Sequence, residues 1–331
     1  MRGAGLERAI LGLALLGMSL AEPPGVANYN KPVPPARSQR VTDGPFAEVA
    51  PMCSPDGRWL AFEYFGAEQS DTPQIRIMRR HADLSSARPL IDVKQYNGDM
   101  SWSPDSRWIS VQMDFPTAEQ NGPRTDDAQI AKINIYSHEV IKLTDLARNA
   151  DVDSTTSWLR TGWIVFSAID DTLYAVPDGG GGRLRSLSHL PTSLCSGGMD
   201  TLGGSPSGQR IAFDMSDFDK QCDVLWIADV KTGRVTSVPT DVHPVSPFWL
   251  DENTILFSGE NDNQEPIGIY QVSLRTGRVD RLLIGMYLTP FVCDSGRTLY
   301  FSFGSELQRT GKSWNPFYGF HIWKMPMPRM R

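Results

Sequence analysis

The sequence lacks an apolar run long enough to cross a membrane and lacks a surplus of basic residues. Its apolar N-terminal run, from Ala9 to Ala21, is shorter than the roughly 20 residues that a membrane-spanning helix needs. The net charge is −6, whereas binding to a nucleic-acid backbone needs a clear excess of Lys and Arg. We therefore expect neither stable membrane insertion nor nucleic-acid binding.

Catalytic signatures are also missing. The pattern G-x-S-x-G does not occur, because Pro206 holds the place of the serine in GGSPSG. The five histidines are scattered and form no H-E-x-x-H pair. The acidic segments do not have the spacing of an EF-hand. The sequence therefore identifies no catalytic residue and predicts neither a cofactor nor a metal ion.

The N-terminal residues have the pattern of an export signal. Arg2 and Arg8 precede the apolar run, and Ser19 and Ala21 are small residues at the −3 and −1 positions of a cleavage site. We predict a signal peptide over residues 1–21, a Pro-rich tail over 22–36, and a periplasmic or secreted protein. The alternative is an N-terminal buried helix.

The sequence does contain a repeated turn and strand. The segment SPDGRWLAF (54–62) is echoed by SPDSRWISV (103–111). Related segments are LRTGWIVF (159–166), SPSGQRIAF (205–213), LDENTILF (250–257) and CDSGRTLYF (293–301). A period of roughly 50 residues is typical of a propeller blade. Two further strands follow each copy, joined by Gly-containing turns. The pattern predicts an all-β fold over residues 37–331, a six-bladed β-propeller with four antiparallel strands per blade.

The sixth repeat ends after its third strand, GFHIWKM (319–325). The segment RSQRVTDG (37–44) reads like EVIKLTDL (139–146), which holds the fourth strand of the second repeat. We predict that this N-terminal strand completes the last blade and closes the ring, since closure removes exposed sheet edges.

The four cysteines allow three pairings. Cys195 and Cys222 fall on loops of the fourth repeat that share one face, and we predict a disulfide between them. Cys53 and Cys293 end the inner strands of the first and last repeats. These two differ by one position in repeat register, so their side chains either face each other across the blade interface or point apart. The sequence leaves this second pair open.

The segment RVTDGPFAEVAPMCSPDGRWLAFEY (40–64) resembles the WD40-like repeat, often called PD40, of TolB-type six-bladed propellers. The resemblance extends over nearly all of the chain after the predicted signal peptide, and it implies the propeller fold. TolB itself carries an α/β domain before its propeller, and the sequence offers no segment for one. We therefore identify a TolB-like propeller, and we carry over none of the partner contacts of TolB.

The loops between the second and third strands of each blade share one face and are acidic, whereas the opposite face collects Arg and Lys. A field of this kind attracts a partner with a basic surface. A long insertion in the last blade (304–320) adds Trp314, Phe317 and Tyr318 to the same face. The alternative is that these loops are charged only because they are exposed to solvent. The candidate partner-binding carboxylates are Glu68, Asp71, Glu119, Asp126, Asp127, Asp170, Asp171, Asp217, Asp219, Asp223, Glu260, Asp262 and Glu265.

These features favour an exported, non-catalytic and monomeric scaffold that binds a protein or peptide on its acidic loop face. The alternative is a carbohydrate-active enzyme, a lyase or hydrolase, with its site at the mouth of the central channel. Several carboxylates that converge in the channel with perturbed pKa values would favour the enzyme.

Overall fold

A computed structural model describes residues 34–45, 47–66, 74–91, 100–115, 127–146, 152–168, 172–189, 199–215, 224–260, 266–304 and 319–328. Twenty-four strands form six four-stranded antiparallel sheets. In the part of the chain that is described, the only helical element is one 3-10 turn, Leu84–Ser86. The prediction of a six-bladed β-propeller is confirmed. The predicted signal peptide lies outside the described residues.

Each of the first five blades uses four consecutive strands, which run from the inside of the ring to its rim. A two-residue strand β1 (Gln39–Arg40) precedes them. The first blade consists of β2 Ala47–Cys53, β3 Trp59–Phe65, β4 Gln74–Arg79 and β5 Arg88–Pro89. The second consists of β6 Ser101–Trp102, β7 Trp108–Phe115, β8 Asp127–Asn134 and β9 Val140–Lys142. The third consists of β10 Val152–Trp158, β11 Trp163–Ala168, β12 Thr172–Pro177 and β13 Arg185–His189. The next two are β14 Met199–Gly204, β15 Arg210–Met215, β16 Val224–Asp229, β17 Val235–Pro239; and β18 His243–Asp251, β19 Thr254–Glu260, β20 Pro266–Ser273, β21 Val279–Ile284.

The last blade combines both ends of the chain. Its strands are β22 Tyr287–Cys293, β23 Thr298–Phe303 and β24 His321–Pro326, and β1 pairs antiparallel with β24. That pairing consists of two residue pairs, Gln39↔Lys324 and Arg40↔Trp323. The N-terminal strand is therefore much shorter than the segment 37–44 suggested, and its sufficiency for closing the ring stays a prediction.

Strand bounds depart from the sequence reading where tertiary pairing decides them. Strand β8 starts at Asp127, because it pairs with β7 as far as Phe115. Within the segment 139–146, which was expected to hold the fourth strand of the second repeat, β9 ends at Lys142. There the hydroxyl of Thr144 accepts the N–H of Ile130 at 2.9 Å and so replaces a backbone ladder bond.

Both faces of the second and third strands are buried, because each blade packs between two neighbours. Trp59 and Ala61 of β3 pack towards the second blade, and Leu60 and Phe62 pack towards the last. The residue that follows Phe62 in β3, and the equivalent residue in the second strand of every other blade, is polar yet buried. Those residues are Glu63, Gln112, Ser167, Asp214, Ser258 and Ser302.

The SPDG turn is stabilised by its own side chains. The hydroxyl of Ser54 accepts the N–H of Trp59 at 3.0 Å and donates to Asp56 at 2.6 Å. The carboxylate of Asp56 also accepts the N–H of Arg58 at 3.0 Å. Gly57 has a φ of 71°, which glycine adopts without steric cost. The aspartate of this motif is thus a turn cap, and the same arrangement recurs at Ser103 and Asp105.

Candidate binding channel

The innermost strand of each blade faces a central channel. A cavity of about 240 Å³ lies within it, which we call the inner cavity. Its wall contains residues from all six inner strands and no Asp, Glu, His, Lys or Arg. The larger side chains of the wall are Met52, Met100, Trp102, Trp158, Leu202, Phe248, Trp249 and Phe291, with Pro51, Pro247 and Pro290. An apolar wall with a few fixed polar groups is typical of a ligand site.

Five of the six inner strands carry a bulge at the same repeat position. In three of them the bulge begins with a left-handed residue, at Ala50, Ser246 and Thr289, with φ values of 52°, 53° and 49°. A proline follows each of these residues, and proline has no N–H to donate to the ladder. The bulges therefore free backbone groups from pairing within their own sheet.

The freed amides bond to hydroxyl groups across the blade interfaces. The N–H of Ala50 donates to Ser302 at 3.2 Å, from the first blade to the last. The N–H of Ser246 donates to Thr201 at 2.9 Å, and the N–H of Leu202 donates to Thr155 at 3.1 Å. These bonds fix the position of each inner strand against its neighbour and so shape the channel wall.

Tryptophan side chains of the inner strands make a second set of bonds, between blades and within a blade. The indole N–H of Trp102 donates to the carbonyl oxygen of Met52 at 3.0 Å. Trp158 instead donates to the carboxylate of Asp178, at the turn that follows the third strand of its own blade, at 3.1 Å. The indole N–H groups of these two rings therefore already donate hydrogen bonds within the fold, and the apolar surfaces of the rings form part of the cavity wall.

The channel widens on the face that carries the SPDG turns. A cavity of about 630 Å³, the turn-face mouth, is lined by five charged residues: Asp56, Arg80, Arg160, Asp294 and Arg297. Partial burial raises the pKa of Asp294, but the bonds from Arg80 and from Thr298, the latter at 2.8 Å, outweigh this and hold it below its usual value. For Asp56, too, partial burial is outweighed by the hydroxyl of Ser54 and the N–H of Arg58, and the pKa is lowered.

Both carboxylates of the mouth are therefore held in the charged form. A general acid near neutral pH needs a raised carboxyl pKa instead. Among the residues that the structure describes, no three His, Cys, Asp or Glu side chains lie together as metal ligands would. The two carboxylates that the structure describes in the mouth are thus bonded to neighbouring donors of the fold.

Most of the predicted partner-binding residues lie outside the described residues. Asp127 opens β8 opposite Phe115, and Glu260 closes β19 opposite His243, both at the ends of strands that lead into the predicted acidic face. Those outside are Glu68, Asp71, Glu119, Asp126, Asp170, Asp171, Asp217, Asp219, Asp223, Asp262, Glu265, Trp314, Phe317 and Tyr318, and also Cys195 and Cys222.

The opposite face is less basic than a sorting of the sequence suggests. The guanidinium of Arg80 pairs with Asp294, and that of Arg278 pairs with Asp280 at 2.6 Å. Arg79 lies 4.3 Å over the ring of Trp59. Several cations of this face are therefore already occupied by neighbours in the fold.

A disulfide joins Cys53 and Cys293, with their Cα atoms 6.2 Å apart. The repeat register left two orientations open, and the structure selects the one in which the side chains face each other. With this pair formed, the remaining intramolecular combination is Cys195 with Cys222, which stays a prediction.

The sequence matches no protein-family profile and no curated protein. Solved propellers are similar in structure. TolB from Acinetobacter baumannii gives a TM-score of 0.57 at 16% identity over 75% of this chain and 58% of its own. The putative TolB from Agrobacterium tumefaciens gives 0.57 at 15% identity over 87% and 93%. The fold is that of a TolB-like six-bladed propeller.

Another similar structure is an oligogalacturonate lyase in complex with manganese, with a TM-score of 0.54 at 12% identity over 87% of this chain and 79% of its own. At such low sequence identities these comparisons show a shared fold, and the activity of the similar proteins cannot be transferred to this chain. The chain spans just over half the length of the A. baumannii TolB. No helix in the described part of this TolB-like propeller is long and apolar enough to cross a membrane.

Proposed function

We propose that this TolB-like propeller is an exported, non-catalytic and monomeric module that binds a protein or peptide partner. The observation that carries the proposal is the wall of the inner cavity, which is apolar and aromatic and contains no titratable side chain. Its polar groups are hydroxyls and backbone amides already fixed by bonds between blades. Such a wall offers a fixed shape and apolar contacts to a bound segment, which is the chemistry of recognition.

The partner approaches from the acidic loop face in this proposal. Strands two and three of each blade meet at that face, as the pairs Tyr64 with Gln74 and Phe115 with Asp127 illustrate in the first two blades. The sequence between those strand ends carries the predicted carboxylates. A basic partner surface would be steered there at low salt and less so at high salt. Trp314, Phe317 and Tyr318 would add apolar anchor points beside the channel.

Export is supported by two features of different kinds. The N-terminal residues have the composition of a signal peptide, and the disulfide between Cys53 and Cys293 is typical of a protein that resides in an oxidising compartment. A periplasmic or secreted location follows from these features as part of the proposal.

A carbohydrate-active enzyme is the second candidate, because the fold is also similar to that of oligogalacturonate lyases. The residues described in the channel do not favour it. The carboxylates of the turn-face mouth have lowered pKa values, and no three potential metal ligands converge in the described residues. Such a site would therefore have to be built from the acidic loops.

The test is a pull-down of proteins from the cell envelope with the purified chain from Glu22, at low and at raised salt. We expect a partner that is lost at raised salt, and lost at low salt when Asp217, Asp219 and Asp223 are changed to Asn. A control changes Glu139 to Gln, an exposed carboxylate at the turn between the third and fourth strands of the second blade, on the opposite face, and leaves capture intact. Turnover of oligogalacturonate with no captured partner would favour the enzyme and contradict the proposal.

A further inference from the structure

We propose that the contact between the first and last blades is a redox-controlled closure of the ring, locked by the disulfide between Cys53 and Cys293. The two cysteines are 240 positions apart in the sequence and end up on adjacent inner strands. In the described residues this bond is the only covalent connection between blades apart from the chain itself. The proposal does not depend on which partner the channel binds.

This interface differs from the others in how the backbone holds it together. In the first five blades all four strands follow one another along the chain. In the last blade, β1 comes from the N-terminal end and is held to β24 by two residue pairs. Two further amides, those of Val41 and Thr42, donate to the carbonyl oxygen of Ile322 at 2.8 and 3.3 Å. If this short segment detaches, a backbone bond of 2.9 Å from the N–H of Glu48 to the carbonyl oxygen of Phe320 still joins the first blade to the last.

The remaining contacts across this interface are both apolar and polar. Leu60 and Phe62 pack with Tyr300 and Ile322, and the polar pairs form only when the two blades are in register. Glu48 is fully buried and accepts a bond of 2.7 Å from His321. The guanidinium of Arg80 pairs with Asp294, which directly follows Cys293. Such groups stabilise an interface that is already formed, whereas separation alone would leave them without partners. The disulfide therefore sets the register in which these pairs form.

Both cysteines are buried in the closed ring, with 7% of Cys53 and 3% of Cys293 exposed, so thiol–disulfide exchange requires this interface to open. Both cysteines line the turn-face mouth, and Cys53 lines the inner cavity as well. Closure is a thiol–disulfide exchange with a disulfide-carrying oxidant of the compartment. The two thiols lose two protons and two electrons and form one S–S bond, and the disulfide of the oxidant takes up both and becomes two thiols. A chain that has not met such an oxidant keeps an unlocked ring.

Hydrogen exchange on the purified chain tests this proposal. In oxidising buffer, the variant with Cys53→Ser and Cys293→Ser is expected to exchange the amides of β2, β22 and β24 at least about tenfold faster than the wild type. The strands β11, β12, β15 and β16, which lie across the ring, are expected to keep wild-type rates. The matched control, Cys195→Ser with Cys222→Ser, is expected to keep wild-type rates in β2, β22 and β24.

The proposal is overturned if the interface amides keep wild-type rates, if protection falls equally in all six blades, or if the control opens the interface as much. Should the first variant fail to fold, the oxidised wild type is treated with increasing reductant instead. Exchange that begins at β2 and β24 before the other blades supports the proposal, and a single global transition, or none, contradicts it.

Discussion

The indole N–H of Trp249 donates a hydrogen bond of 2.8 Å to the carbonyl oxygen of Gly203, on the inner strand of the neighbouring blade. Trp102 makes the same bond to Met52 between the first two blades. A ring of six separate sheets has no backbone ladder from one blade to the next. Side-chain bonds of this kind are therefore what fixes the spacing of the inner strands and the width of the channel.

Replacing Trp249 with Phe should remove this bond between the blades. The loss of one such hydrogen bond costs about 0.5–1.5 kcal/mol. The control is Trp226→Phe, because the indole N–H of Trp226 is buried and has no hydrogen-bond partner. Urea unfolding should show Trp249→Phe to be the more destabilising by about 0.5–1.5 kcal/mol. Equal losses would show that the bond between blades contributes nothing.

The close approach of the same two blades requires a glycine. A Cβ on Gly203 would lie 2.3 Å from the carbonyl oxygen of Pro247, so the fifth blade would have to move. Gly203→Ala should lower stability by about 2 kcal/mol or more, as overpacking does. Gly179→Ala is the control, since nothing lies within 4 Å of the added atom. Thermal unfolding of the two variants measures the difference, and similar midpoints would contradict the account.

The turns and second strands could be predicted because their causes are local. The serine and aspartate of SPDG bond to amides within five residues. The bulges depend on neighbouring blades and were missed, although proline in a strand at positions 51, 247 and 290 was a usable signal. Nothing in the sequence indicates that Arg80 pairs with Asp294, which is 214 positions away along the chain. Hydrogen bonds within a turn can be predicted from the sequence, whereas contacts between blades can be identified only in the structure.

Ser54→Ala should destabilise the first blade, because the N–H of the buried Trp59 loses its acceptor and Asp56 loses a donor. The expected loss is about 1–2 kcal/mol. Asp145→Ala, which breaks an ion pair with Lys142 at the surface, should change stability very little. Urea unfolding of both variants provides the comparison. A larger loss for Asp145→Ala would contradict the capping role of Ser54.

The ion pair at the interface of the first and last blades should give an acid-dependent stability term. The pKa of Asp294 is held below its usual value of 3.8, so its contribution is present above that pH and is lost as pH falls through the lower pKa of the folded state. Asp294→Asn lacks this contribution. The stability difference between wild type and variant should therefore be constant near neutral pH and shrink below about pH 4. A stability difference between wild type and variant that grows as the pH falls would contradict this prediction.

The most direct test of the central claim is the affinity for the captured partner, measured by calorimetry at several salt concentrations. For a binding module that uses its acidic loop face, affinity should fall steadily as salt increases. The variant with Asp217, Asp219 and Asp223 changed to Asn should bind more weakly and show a shallower dependence on salt. An affinity that is independent of salt and unchanged in this variant would contradict the account.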